Sequence, residues 1–216
     1  MTRTFAALLG LVLALPVMAS PPPSTDPAPA LAGGAGEGVR ARLAQPAVLR
    51  GRFEQSKQLK GFDQPLVSRG DFLLVRDRGV AWDTREPFAS TTLLTRDRLL
   101  TRLPDGSQRV LLDAAQSPAT AAVNALLMAL LAGDLDALAG PFDLAEGLAD
   151  DGSWRLVLQP RDEALRQVFT RIRLEGDRYV REVQLEETGG DATTLRFLEL
   201  SETPAQPSPG EAARFD

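Results

Sequence analysis

Residues 53–87 place single large apolar side chains at even intervals between tight-turn residues, and this pattern restricts the chain to antiparallel β-structure. Phe53-Glu54-Gln55-Ser56-Lys57 is followed by Pro65-Leu66, Ser68, Gly70 and Phe72, then by Gly79, Trp82 and Pro87. Leu49, Phe53 and Leu59 alternate against Arg50, Arg52, Glu54 and Ser56, as in a strand with one dry and one wet face. Parallel strands are covered on both faces and read as continuous apolar runs, so this alternation points to an antiparallel sheet.

The rest of the chain extends the same plan. A short helix over 39–44 carries Val39 and Leu43 on one face and stops at Pro46. Strands are expected at 48–59, 66–76, 80–83, 88–95, 98–103 and 108–113, the last two joined by the turn Pro104-Asp105-Gly106-Ser107. At Ser117-Pro118 the period changes, with Ser as N-cap and Pro at the first helical position. Over 118–132, Val123, Leu126, Leu127, Leu130 and Leu131 form one stripe, and Ala121, Ala125, Met128, Ala129 and Ala132 fill most of the remainder. A helix apolar nearly all round is buried on more than one side. A second helix, 135–139, leads into Gly140-Pro141, and strands resume at 142–144, 154–159, 168–175, 179–187 and 193–200. About ten or eleven strands interrupted once by helices, without βαβ alternation, predict a mainly β (α+β) fold: a large curved antiparallel sheet with a helical cover.

The ends read differently. Arg3, an apolar run over 5–17 and the small residues Ala19 and Ser20 predict a signal peptide over 1–19, too short and too soon followed by prolines to span a membrane well. Residues 20–38, rich in Pro, Ala and Gly, are expected to be a flexible linker before a domain at 39–201. Pro204, Pro207, Pro209 and Gly210 predict a disordered tail over 202–216.

The chain contains no cysteine and no histidine, with 24 basic against 29 acidic residues. Thiol-linked lipidation, disulfides and thiolate chemistry are thereby excluded, as are the commonest general base and metal ligand. A net charge of −5 argues against nucleic acid as a partner. Ser56 and Lys57 are neighbours on a strand and point to opposite faces, so they cannot form a catalytic dyad. The carboxylate pairs Asp150-Asp151 and Glu186-Glu187 read as solvated turn charge. Arg50 and Arg52, Arg96 and Arg98, and Arg171 and Arg173 read as the wet face of the sheet. Gly33-Gly34-Ala35-Gly36 has no strand before it and is not a phosphate loop. No catalytic residue, metal site or cofactor is expected.

The ordered set F-E-Q-S-K, P-L-x-S-x-G-x-F, G-x-x-W and a following Pro, from Phe53 to Pro87, resembles the opening strands of the LolA-like family, periplasmic carriers related to the outer-membrane lipoprotein carrier. The resemblance implies a half-open antiparallel barrel whose concave face is covered by short helices. Joined to the apolar pattern, it suggests a lipid-binding cavity formed by Phe53, Phe72 and Trp82 under a lid bearing Val123, Leu126, Leu127, Leu130 and Leu131. The expected partners are lipid or lipoprotein acyl chains, an inner-membrane donor and an outer-membrane acceptor, with the protein a monomer in the periplasm. Family members usually carry an arginine immediately before the tryptophan, implicated in latching the lid, and this chain has Ala81 there. A sensor or protein-binding module on the same sheet is the alternative, and an enzyme acting on lipid or glycan a more distant one.

Overall fold

Helix α1 (Glu37–Arg42) precedes six strands that each turn back on the last: β1 (Val48–Gln58), β2 (Leu66–Val75), β3 (Gly79–Glu86), β4 (Ser90–Thr95), β5 (Arg98–Arg102) and β6 (Gln108–Asp113). Helix α2 (Leu135–Ala139) opens the second half, β7 (Phe142–Leu148), β8 (Trp154–Pro160), helix α3 (Glu163–Arg166), β9 (Phe169–Gly176), β10 (Val180–Glu187) and β11 (Ala192–Ser201). Helix α4 (Pro209–Ala212) and a 3-10 turn, Ala213–Phe215, follow. The structure is a computed structural model that describes residues 36–95, 98–113, 128–129 and 134–215. The expected signal peptide, nearly all of the linker and most of the lid helix lie outside the described residues, including Val123, Leu126, Leu127, Leu130 and Leu131. Of the residues expected in that helix, Met128 and Ala129 are described as helical, with Ala129 buried in the core.

All eleven strands form one antiparallel sheet in the order β6-β5-β4-β3-β2-β1-β11-β10-β9-β8-β7. The two halves of the chain therefore fan outward from β1 and β11, which pair with each other at the centre. Strand alternation assigns the two faces. Leu49, Phe53, Phe72, Leu74, Val80, Leu94 and Leu99 share an inner face with Leu156, Leu158, Ile172, Leu174, Val183 and Phe197. Val39 of α1, Leu135 and Leu138 of α2 and Leu165 of α3 are buried in that same cluster. Eleven strands laid flat would span about 50 Å at ~4.8 Å each. One contiguous cluster reaching from β5 to β7 requires the sheet to curl around its helical contents.

Side chains from the sheet and its turns fix the helices. Glu146, on the inner face of β7, accepts the backbone N–H groups of Gly38 and Val39 at 3.4 and 3.0 Å. It satisfies the start of α1, whose N-cap Gly36 has no side chain to do so. Asp134 accepts from Ala137 at the start of α2, and Asp162 from Ala164 at the start of α3.

The outer face has two territories. From β8 across to β2 it carries a lattice of opposite charges, including Arg155–Glu175, Arg196–Glu182 and Arg69–Glu54, each at 2.7 or 2.8 Å. Arg50, Arg52, Arg171 and Arg173 also lie on this face with acidic partners, as the alternation predicts. Over the part of β2 to β5 nearer the β2–β3 turn it is apolar, with Leu73, Val75, Ala81, Leu93 and Leu100 buried beside Val48 of β1, and Phe215 packed against them.

That contact corrects the expected disordered tail. Residues 202–215 return across the outer face, and Arg50 reaches Glu211 at 2.7 Å, Pro204 O at 2.8 Å and Gln206 O at 3.3 Å. Ser208 and Glu211 form a capping box with Pro209 in the first turn. Arg214 meets Asp83 at 2.7 Å, and Glu202 binds Arg178 and the Tyr179 hydroxyl. The prolines limit the conformations that this segment samples before docking, so ordering it costs less than its composition suggests.

Candidate functional site

The register of β1, β2, β3 and β11 brings four aromatic rings together on the inner face. Phe53 pairs with Phe197, and Phe72 with Trp82. Phe53 and Trp82 meet edge to face at 5.5 Å between ring centres, and Phe72 and Phe197 do so at 5.1 Å. Trp82 lies 6.0 Å from Phe72 and 6.1 Å from Phe197. Separations and tilts of this kind are the favoured ones for aromatic pairs. The expected Phe53, Phe72 and Trp82 are thus neighbours, and the structure adds Phe197 of β11.

Glycines make room for these rings. Phe53 lies opposite Gly70, Phe72 opposite Gly51 and, further round the inner face, Trp154 opposite Gly176. A Cβ on Gly70 would stand 2.9 Å from the Phe53 ring, one on Gly51 2.8 Å from that of Phe72, and one on Gly176 2.7 Å from that of Trp154. Each ring lies over a bare stretch of backbone, and glycines at such positions allow a sheet to bend.

Beyond Phe53 towards the end of β1, the inner face turns polar. Gln55, Lys57 and Thr193 are all buried. Lys57 Nζ meets Glu187 Oε1 at 3.0 Å and Asp191 Oδ2 at 3.9 Å, with only 4 % of the lysine side chain exposed. Lys57 is an inward-facing buried cation, and Glu187 is its partner rather than the solvated turn charge expected from the sequence. Asp151 does act as turn charge, accepting the Ser153 N–H at 2.8 Å. Ser56 lies on the face opposite Lys57, as strand geometry requires.

Among the described residues the indole Nε1 of Trp82 is buried without a hydrogen-bond partner. Trp154, by contrast, donates its Nε1–H to Asp177 O at 2.5 Å. A buried unsatisfied donor is costly unless something supplies an acceptor. Ala81 packs into the outer apolar territory with no measurable exposure. In this register a side chain at that position points away from the helices.

A cleft of 390 Å³ also opens on the outer face between the returning C-terminal segment, 202–215, and the sheet, lined by Arg50, Arg52, Asp71, Asp83, Glu199 and Arg214 among others. Its arginines already pair with Glu211, Glu199 and Asp83, so a charged ligand there would compete with contacts already made. The inner face is the stronger candidate site. Among the described residues no cluster of three or more Asp, Glu, His or Cys could hold a metal, and no helix is long and apolar enough to cross a membrane.

An open antiparallel sheet curled around an apolar, aromatic-floored face under short helices defines a carrier or binding-module fold. The chain belongs to the LolA family: the family model described as outer membrane lipoprotein carrier protein LolA matches residues 45–209. Among solved structures, a LolA superfamily protein from Nitrosomonas europaea is similar at 12% identity and a TM-score of 0.45, over 83% of this chain and 94% of that one. A DUF1329 family protein from Desulfovibrio piger is similar at 12% identity and a TM-score of 0.47, over 83% and 96%. MucB of Pseudomonas aeruginosa, solved with MucA, is similar at 16% identity and a TM-score of 0.37, over 74% of this chain and 56% of that one. No curated protein sequence matches the chain.

Proposed function

We propose that the protein is a non-enzymatic periplasmic carrier that holds the acyl part of a lipid or lipidated molecule against its inner face and shuttles it toward the outer membrane. The observation that carries this reading is the floor of Phe53, Phe72, Trp82 and Phe197, which gathers aromatic surface from four strands on the helix-covered side of the sheet. Apolar chains enter such a surface without directional bonding. Sheltering about sixteen carbons from water gains on the order of 10 kcal/mol gross at ~0.8 kcal/mol per methylene, less the cost of displacing whatever covers the face. The buried Trp82 Nε1–H would find its acceptor in a carbonyl at the head of the chain. Cargo would leave when a membrane or an acceptor protein competes for the same hydrocarbon.

Native mass spectrometry of the exported protein tests this directly. Acyl material should travel with the protein, and a fluorescent fatty acid should be displaced by lipid in competition. Phe53→Ala, which empties the centre of the floor, should weaken probe binding at least about tenfold. An empty protein that neither binds nor exchanges the probe, yet holds a stoichiometric protein partner, would overturn the carrier reading in favour of a binding module.

A further inference from the structure

The antiparallel order places the β1–β2, β3–β4 and β5–β6 connections at one end of the sheet. Each of these connections carries an exposed large apolar residue: Phe62, 47% exposed, Phe88, 70%, and Leu103, 45%, which opens the β5–β6 turn and donates its N–H to Ser107 O. The β10–β11 turn lies at this end too, since the Lys60 N–H donates to Asp191 at 2.9 Å. The described turns at the opposite end are charged, with Arg76, Asp77 and Arg78 after β2, Asp150 and Asp151 after β7, and Asp177 and Arg178 after β9, as is the β8–β9 connection at the far side of the first end, with Arg161, Asp162, Glu163 and Arg166. Among the described residues the other exposed large apolar ones are Val110 and Leu198, within strands, and Leu148, which ends β7 at the opposite end.

We propose that the Phe62, Phe88 and Leu103 tips insert into the interfacial layer of a lipid bilayer and seat this end of the sheet on the membrane. The spacing of the tips favours lipid over a folded partner. Successive tips are two strands apart, about 10 Å along the edge, with wet backbone between them. Separated wedges of this kind make no continuous apolar patch for a rigid surface to match, whereas a fluid interface closes around each one. Charge fits as well. Lys60 stands with Asp63 around Phe62, Arg85 with Glu86 beside Phe88, and Arg102 with Asp105 around Leu103, so each tip is formally neutral in a chain of net charge −5. Zwitterionic headgroups suit neutral tips. The proposal goes beyond the carrier reading and stands on residues outside the aromatic floor.

The exported protein, its N-terminus established by intact mass, is mixed with phosphatidylcholine vesicles. Phe62→Ser combined with Phe88→Ser should lower the vesicle partition constant about tenfold or more while fatty-acid probe binding is retained. In a Phe88→Trp variant, emission should shift to the blue and be quenched by acyl-brominated lipid beyond the quenching of the parent, which contains Trp82 and Trp154. Should the double variant fail to fold, the Phe88→Trp readout alone decides. Failure of the parent to bind vesicles, unchanged partition of the double variant, or absence of extra quenching overturns the proposal, as does capture of a protein at these tips without vesicle binding. Probe binding without vesicle binding overturns the membrane seat and leaves the carrier reading intact. Vesicle binding without probe binding does the reverse.

Discussion

Arg50 and Glu211, 161 positions apart, are joined by two near-parallel hydrogen bonds, Nε to Oε1 at 2.7 Å and Nη2 to Oε2 at 2.9 Å. This forked contact fastens the C-terminal strap to the central strand. Arg50, and next the Ser208 backbone N–H, hold the Glu211 carboxyl at about 2, against an ordinary value of 4.5. A carboxyl lowered on folding stabilises the fold above 4.5, and that contribution fades as the pH falls from 4.5 towards 2. Glu211→Gln should therefore cost about 1 kcal/mol at neutral pH, after allowance for partial exposure, with the difference from the parent closing in acid. Urea unfolding across that pH range, and faster amide exchange at Ala212 in the variant, are the checks.

Gly70 has no room for a side chain. An added Cβ would lie 1.9 Å from the Asp83 carbonyl oxygen on the neighbouring strand, as well as against the Phe53 ring. Backbone cannot yield as a flexible side chain does, so Gly70→Ala should destabilise by about 3 kcal/mol or more and disturb the aromatic floor. Gly147→Ala, with open space around it, is the matched control and should be close to neutral by thermal melting.

The buried Lys57–Glu187 pair should respond asymmetrically. Glu187→Ala removes the nearer of two carboxylates from a buried cation, leaving Asp191 at a longer 3.9 Å, and should cost about 2–4 kcal/mol. Lys57→Met removes the cation and leaves the half-buried carboxylates access to water, so its cost should be below about 1 kcal/mol. Equal losses in chemical denaturation would contradict this account.

The two tryptophans differ in what their ring nitrogens do. Trp154→Phe breaks a bond to Asp177 and should destabilise by about 1–2 kcal/mol. Trp82→Phe removes a donor with no described partner and should leave stability nearly unchanged. If cargo supplies the acceptor, the same change should weaken binding of an acyl ester more than of a plain alkane probe, measurable by fluorescence competition.

Much of the sheet was legible because alternation and turn chemistry agree locally. Gln108–Asp113 and the helix Leu135–Ala139 fall where the pattern puts them, and the expected strand Val80–Asp83 proves longer, as Gly79–Glu86. Phe53, Phe72 and Trp82 could be gathered because they share odd or even register on successive hairpins. Phe197 could not be placed, since its neighbourhood depends on β11 returning from the far end of the chain to pair with β1. The pairing of Lys57 is hidden for the same reason, as Glu187 and Asp191 come with β10 and the β10–β11 turn. The strap was hidden by its prolines, although Ser208-Pro209-Gly210-Glu211 spells a capping box that would have marked a helix start.

With Phe215 resting on Leu73, Val75 and their neighbours, the strands by themselves do not finish this molecule. A polypeptide interrupted before residue 208 would present grease on both sides of β2 to β4, and two such fragments could satisfy each other there. Integrity at the far end of the gene thus bears on whether the product stays dispersed, quite apart from anything it carries.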